Sequence, residues 1–275
     1  MEPFLLEKNE IFVIKEWMDE CPELIAGFTS KNGGCSKEPF SSLNAGLHVN
    51  DSTDSVRANR NKIADILQFP AKKWVGAEQT HHTHIEKVTF ASAGRGSLDY
   101  EESFKGTDGF FTRDQGLLLT LCYADCVPLF FLHKETGSIG IAHAGWKGTV
   151  HGIARGMVSL FQKEGIPEKD IKTVIGPAIC GNCYQVDDRV IEFVKGWTKD
   201  ENDKPYRQIE DHQYLLDLKQ LNKDILIKAG VLEENIQVTK WCTSCDSQYF
   251  FSHRRDNGKT GRMMSFIGWK EDLKK

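Results

Sequence analysis

Apolar positions along the chain fall into short runs divided by polar turns, with a few longer stretches at helical period. Residues 11–17 and 24–29 read as strands, followed by a turn at Gly33-Gly34-Cys35-Ser36. Ser52 stands where it would cap a helix over residues 53–67, with Val56, Asn59, Ile63 and Ile66 on one face. Residues 74–77 and 85–90 read as strands flanking a turn at His81. Residues 116–132 form the longest apolar run, and residues 138–143 read as a buried strand beside it.

Residues 147–164 predict a long amphipathic helix, because Val150, Ile153, Ala154, Met157 and Phe161 recur at three- and four-residue steps. Residues 172–176 form a short strand. Residues 187–194 and 214–229 read as helices, the second ended by Gly230. Residues 236–239 and 248–252 are predicted as closing strands. Strands that alternate with helices, with several strands in direct succession, imply an α/β (α+β) fold of layered mixed sheets.

The 275 residues are 40% hydrophobic, enough for a sizeable core. No repeat or low-complexity segment interrupts them, and the polar stretch 199–204 is too short to mark a linker, so one domain over 1–275 is the expectation. A net charge of −4 supplies no global field for nucleic acid or an anionic membrane, and neither is expected as a partner. The start lacks a basic segment leading into a long apolar one, and Asp125 and Pro128 interrupt the longest apolar run. A soluble cytoplasmic protein, monomer or homodimer, is the expectation.

Candidate chemistry sits at breaks in the apolar runs. Gln79-Thr80-His81, Ala124-Asp125-Cys126 and His143-Ala144-Gly145-Trp146 each place a histidine or a cysteine there. If they converge, two imidazoles and a thiolate offer three ligands to zinc and leave a fourth position open, the mark of a catalytic rather than a structural site. Asp125 in an apolar run needs a partner, because a buried carboxylate without one is costly. The same donor set suits copper, but a blue-copper site groups Cys, His and Met on one loop, and Cys126 and His143 are too far apart for that. Without metal, Cys126 and His143 would make a thiolate–imidazole couple for a cysteine hydrolase.

The eight cysteines include two spaced pairs, Cys180-x-x-Cys183 and Cys242-x-x-Cys245. Four thiolates would suit a structural zinc, but the pairs lie much farther apart than the roughly 15–20 residues of a zinc ribbon, and free thiols are the expected state. His84-x-Glu86 with Cys180-x-x-Cys183 superficially matches a cytidine-type deaminase signature, but Pro177 is not adjacent to Cys180 and residues 85–90 read as strand.

Several motifs together carry a more specific likeness: 42–51 (Ser-Leu-Asn-Ala-Gly-Leu-His-Val-Asn-Asp), Gln79-x-His81, Thr107-Asp108-Gly109, Ala124-Asp125-Cys126-x-Pro128, His143-Ala144-Gly145-Trp146-x-Gly148, Gly176-Pro177-Ala178-Ile179, 250–255 (Phe-Phe-Ser-His-Arg-Arg) and Thr260-Gly261-Arg262. In these the chain resembles the YfiH/YlmD family, long labelled laccase-domain or polyphenol oxidase proteins. The resemblance implies a layered α/β/β/α sandwich, distantly like the catalytic domain of cytotoxic necrotizing toxins. It implies zinc, with copper as the alternative, on His81, Cys126 and His143. It also implies phosphorolysis of adenosine, inosine and S-methyl-5′-thioadenosine, with adenosine deamination in addition, so that purine nucleoside and phosphate are the expected partners. Asp125, Cys126 and His143 are the expected catalytic residues, with Asp125 as acid or base. Asn44, His48, Arg60, Gln79, Trp146, Arg254 and Arg262 are expected to contact substrate. The position after Trp146, commonly arginine in the family, is Lys147, which keeps the charge and loses the bidentate fork.

Overall fold

The computed structural model describes residues 1–198 and 204–271. Of the polar stretch 199–204, residues 199–203 lie outside the described residues. Two six-stranded sheets form the centre. The first runs β1 (Phe4–Lys8), β2 (Ile11–Ile14), β3 (Leu24–Thr29), β15 (Met263–Trp269), β7 (Leu118–Tyr123), β4 (Trp74–Val75). The second runs β14 (Ile236–Val238), β10 (Lys172–Ile175), β8 (Val127–His133), β9 (Ser138–Ala144), β6 (Gly109–Thr112), β5 (Ile85–Lys87). Both mix parallel and antiparallel pairs. A small antiparallel sheet joins β11 (Gln185–Asp187), β13 (Gln213–Leu216) and β12 (Tyr206–Glu210). The helices are α1 (Lys15–Glu20), α2 (Thr53–Leu67), α3 (Trp146–Val150), α4 (Ile153–Lys163), α5 (Asp188–Lys195) and α6 (Leu218–Lys228).

Neighbouring side chains on a strand face opposite ways, and here both ways are buried. Phe110, Phe130, Ile139 and Ile141 meet Phe12, Phe28 and Leu121 between the two large sheets. Their neighbours Phe111, Phe131 and Ala142 pack on the other side with Ile153, Met157, Phe161 and Ile225 of α4 and α6. On the far face of the first sheet, Val13, Ile25 and Phe266 cover Ile63 and Leu67 of α2. These three apolar interlayers make the expected α/β/β/α order. Among the described residues, no helix is long and apolar enough to cross a membrane.

The differences from the sequence reading have local causes. The run 116–132 is two strands in different sheets, β7 and β8, and the chain crosses between them at residues 124–126, where Asp125 takes a left-handed φ of 87°. Gly152, with φ 85°, breaks the predicted helix 147–164 into α3 and α4. The strand 11–17 stops at Ile14 and continues as α1. The segment 214–229 starts as strand β13, and its helix begins only at Leu218, behind Asp217, which accepts from the Gln220 amide. The strand predicted at 248–252 is a buried loop: Phe250 packs against Phe12 and Phe28, so its apolar run serves the core without pairing. The α2 helix has its expected bounds and Ser52 cap, although Leu67 rather than Ile66 is the buried residue near its end.

Candidate metal centre and its pocket

His143 lies one residue before the end of β9, Cys126 immediately before β8, and His81 on the loop between β4 and β5. Their ligand atoms lie within 4.8 Å of one another. His143 is buried, Cys126 partly buried and His81 exposed. Behind them sits Asp108, fully buried at the start of β6. Its Oδ1 stands 2.9 Å from His143 Nδ1, and its carboxylate accepts the backbone amides of Thr80, His81 and His82 at 2.9–3.1 Å. His81 has φ 62°, a region that costs a non-glycine residue roughly 1–2 kcal/mol. Three amide hydrogen bonds to one carboxylate hold the loop there. With Nδ1 engaged, His143 turns Nε2 toward Cys126 and the open side.

The donor set fits a metal. Gly145 leaves the room: a Cβ there would stand 2.9 Å from His81 Cδ2 and 3.1 Å from Cys126 Sγ. Burial pushes the Cys126 thiol up, but His143 and then His81 outweigh it and bring the thiol down to about 6. Burial lowers His143, while the Cys126 thiolate and Asp108 raise it to about 9. Burial also works against the Asp108 anion, yet the hydrogen bonds from His143 and the loop amides leave it below the usual carboxylate range. The three groups therefore stabilise one another as thiolate, imidazolium and carboxylate when no cation is near.

The trio opens on a cavity of about 490 Å³, within the range of small-molecule sites. Six of the residues singled out in the sequence, His48, Gln79, Asp125, Trp146, Arg254 and Arg262, line it. Lys147 adds a third cation to Arg254 and Arg262. His48 is lowered to about 4, by the crowding around it first and by Arg262 and Arg60 second. The residue as a whole is exposed, which makes the neighbouring positive charge the firmer cause. The cavity therefore favours anions.

Two expected contacts are structural instead. Arg60, on the inner face of α2, is buried and donates to the carbonyls of Ala45, Gly96 and Ser97 at 2.6–3.0 Å, with Nη2 3.6 Å from the sulfur of Cys122 on the cavity wall. Asn44 is buried too: its amide donates to Asp51, and its oxygen accepts from the amides of Gly46 and Arg262. Gln79 lines the cavity, but its side chain pairs with both backbone groups of Cys122, extending β7 where β4 has ended. Asp125 also has both oxygens engaged, by Thr243 Oγ1 at 2.6 Å and the Arg254 amide at 2.7 Å.

The sequence reading missed Asp108 as the support of the trio, although Thr107-Asp108-Gly109 is among the motifs of the resemblance and a carboxylate before an apolar strand was the available signal. It also missed Ile179, Tyr184 and Leu218 on the apolar wall of the cavity. Ile179 and Tyr184 flank one cysteine turn and Leu218 starts α6, so no helical or strand period joins them.

A family model described as multi-copper polyphenol oxidoreductase laccase matches residues 25–270. The chain belongs to this family. Its members include the purine nucleoside phosphorylase YlmD of Bacillus subtilis (strain 168), 48% identical over 273 residues that cover 98% of each chain. Two solved structures are similar over 98% of this chain and the whole of the other. The Bacillus licheniformis hypothetical protein YfiH gives a TM-score of 0.94 at 47% identity, and YlmD from Geobacillus stearothermophilus 0.95 at 45%. In this laccase-like chain, the only other metal-type cluster among the described residues is made of four cysteines. The histidine-rich further centres of a multicopper oxidase are therefore not built among them.

Proposed function

We propose that this chain is a zinc-dependent purine nucleoside phosphorylase that cleaves adenosine, inosine and S-methyl-5′-thioadenosine with phosphate and also deaminates adenosine. The observation that carries this reading is the convergence of His81, Cys126 and His143 at a cavity also lined by Lys147, Arg254 and Arg262. The phosphorylase name of a relative 48% identical over nearly the whole chain supports the same chemistry. When bound, zinc supplies a Lewis acid at its open position.

In phosphorolysis, an oxygen of phosphate bonds to C1′ of the ribose as the bond from C1′ to the purine nitrogen breaks. The bonding pair leaves with the base, which takes up a proton. The three cations draw phosphate in and hold its charge. Asp125, the one carboxylate on the cavity wall among the described residues, has both oxygens fixed by hydrogen bonds. That arrangement suits a stationary negative charge beside the developing oxocarbenium better than a proton donor. Trp146, Tyr184, Ile179 and Leu218 give the planar base an apolar wall. For deamination, water adds at C6 of adenine and ammonia leaves from the same carbon.

One observation favours a second reading. Asp108, His143 and Cys126 form a carboxylate–imidazole–thiolate chain, the arrangement of a metal-free cysteine hydrolase. The deciding experiment measures bound metal in purified protein alongside adenosine turnover with and without phosphate, for wild type and Cys126→Ala. Bound zinc with phosphate-dependent release of adenine is the expected result, the variant losing turnover and about one zinc per chain. No zinc lost on Cys126→Ala, together with no nucleoside turnover in wild type, would overturn the reading in favour of the hydrolase.

A further inference from the structure

We propose that Cys180, Cys183, Cys242 and Cys245 bind a second zinc ion, a structural one, which ties together two loops of the active cavity. The cysteine pairs are far apart in sequence because the strands before them are joined by a long crossover through α5, β12, β13 and α6. In space β10 and β14 are parallel neighbours, with Ile175 opposite Val238. The two chains leave those strands side by side and still bridge at Ala178 and Cys242. Parallel pairing thus delivers both turns to one point, which local spacing does not reveal.

The sulfur geometry fits a tetrahedral thiolate site. All four sulfurs lie within 4.8 Å of one another and are unbonded. Cys183 Sγ is 3.4 Å from Cys245 Sγ, and Cys180 Sγ is 4.0 Å from it. Four sulfurs at about 2.3 Å from a zinc ion lie about 3.8 Å apart, between these two values. The backbone amides of Cys180 and Cys245 both donate to Cys242 Sγ, at 3.3 and 3.4 Å. Amide donors aimed at sulfur favour a thiolate. Lys219 supplies a buried cation close by, its ammonium donating to the carbonyls of Thr239 and Trp241 just before the second turn. Zinc with four thiolates carries net negative charge, which Lys219 partly balances.

Four protein ligands fill the coordination shell, so this ion has no open position for a substrate. Its effect is on the neighbouring site. Thr243, inside the second turn, holds Asp125, and the Ile179 amide, beside the first, donates to the Asp125 carbonyl. Tyr184 follows Cys183 directly and lines the cavity.

The test is separate from nucleoside turnover. In the Cys126→Ala/His143→Ala double variant, elemental analysis is expected to find about one zinc per chain, and X-ray absorption at the zinc edge a shell of four sulfurs at about 2.3 Å. In Cys183→Ser/Cys245→Ser, bound zinc should fall by about one per chain from wild type. If that second variant does not fold, the absorption spectrum of the first still decides. Absence of zinc from the first variant, a different metal, a nitrogen- or oxygen-containing shell, or a disulfide between these cysteines in the intact mass would each overturn the proposal. Loss of the nucleoside reading would leave the zinc count of the first variant unchanged.

Discussion

Asp108 Oδ1 stands 2.9 Å from His143 Nδ1, and the same carboxylate accepts the His81 amide, so one buried side chain orients both histidines of the metal trio. Replacing Asp108 with Asn keeps the shape but brings an NH₂ group among groups that are all donors. Removal of such a supporting carboxylate typically weakens metal binding ten- to a hundredfold. Asp108→Asn is therefore expected to lower zinc affinity by about that factor in competition with a chelator. Unchanged affinity in a folded variant would show that the His143 tautomer is set elsewhere.

Gly145→Ala tests the space around the trio without touching a ligand. The added methyl would meet His81 Cδ2 at 2.9 Å and Cys126 Sγ at 3.1 Å. Such contacts force a neighbour to shift, and the exposed His81 loop gives more readily than the β-strands. Zinc affinity and nucleoside turnover should both fall at least tenfold, while circular dichroism stays native. An unaffected zinc affinity would place the metal away from this side of the trio.

The Cys126–His143 pair predicts the pH behaviour of metal-stripped protein. The lowered thiol contributes stability above its unfolded pKa of about 8.5, and this is lost as pH falls through about 6. The raised imidazole contributes stability below its unfolded pKa of about 6.5, and this is lost as pH rises through about 9. The ion pair thus persists between about 6 and 9, and its two steps belong to the pair rather than to one residue. Alkylation of Cys126 by iodoacetamide, followed by mass spectrometry, should reach half its maximal rate near pH 6 and be suppressed by added zinc. A midpoint near the ordinary thiol value of about 8.5 would contradict the pairing.

What the sequence revealed depended on how local each signal was. Cap and period at Ser52 and Thr53–Leu67 are local, and α2 has its expected bounds. The convergence of His81, Cys126 and His143 was also legible, because each interrupts an apolar pattern in or beside a loop. Sheet membership was hidden in the run 116–132, because Leu121 and Phe130 are equally apolar whichever sheet they join. Only the turn at Asp125 separates them. Arg60 and Arg262 looked alike in sequence, and their roles diverge only because α2 carries one inward beneath the sheet.

Arg262 reaches the cavity with its Nη1 on the carbonyls of Thr260 and Gly261, and among the described residues no carboxylate forms an ion pair with it. A charge-assisted contact to phosphate is worth about 1.5–3 kcal/mol, or roughly ten- to a hundredfold in binding. Arg262→Gln should raise the KM for phosphate by about that factor, with a smaller effect on nucleoside binding measured without phosphate. Equal loss for both ligands would move Arg262 from phosphate recognition to shaping the cavity.

Arg60 supplies the contrasting case, since it was expected at the substrate and is instead a buried tie. Its guanidinium bonds three carbonyls from two segments, Ala45 and Gly96-Ser97, beneath α2. Arg60→Leu keeps bulk and removes every donor, leaving three buried acceptors to find other partners. Each buried group left unsatisfied costs about 1–3 kcal/mol, so a loss of several kcal/mol in urea unfolding is expected. In the fraction that remains folded, the KM for phosphate should stay within about twofold of wild type, since a twofold change is only about 0.4 kcal/mol. A rise like that of Arg262→Gln, without loss of stability, would restore Arg60 to the substrate site.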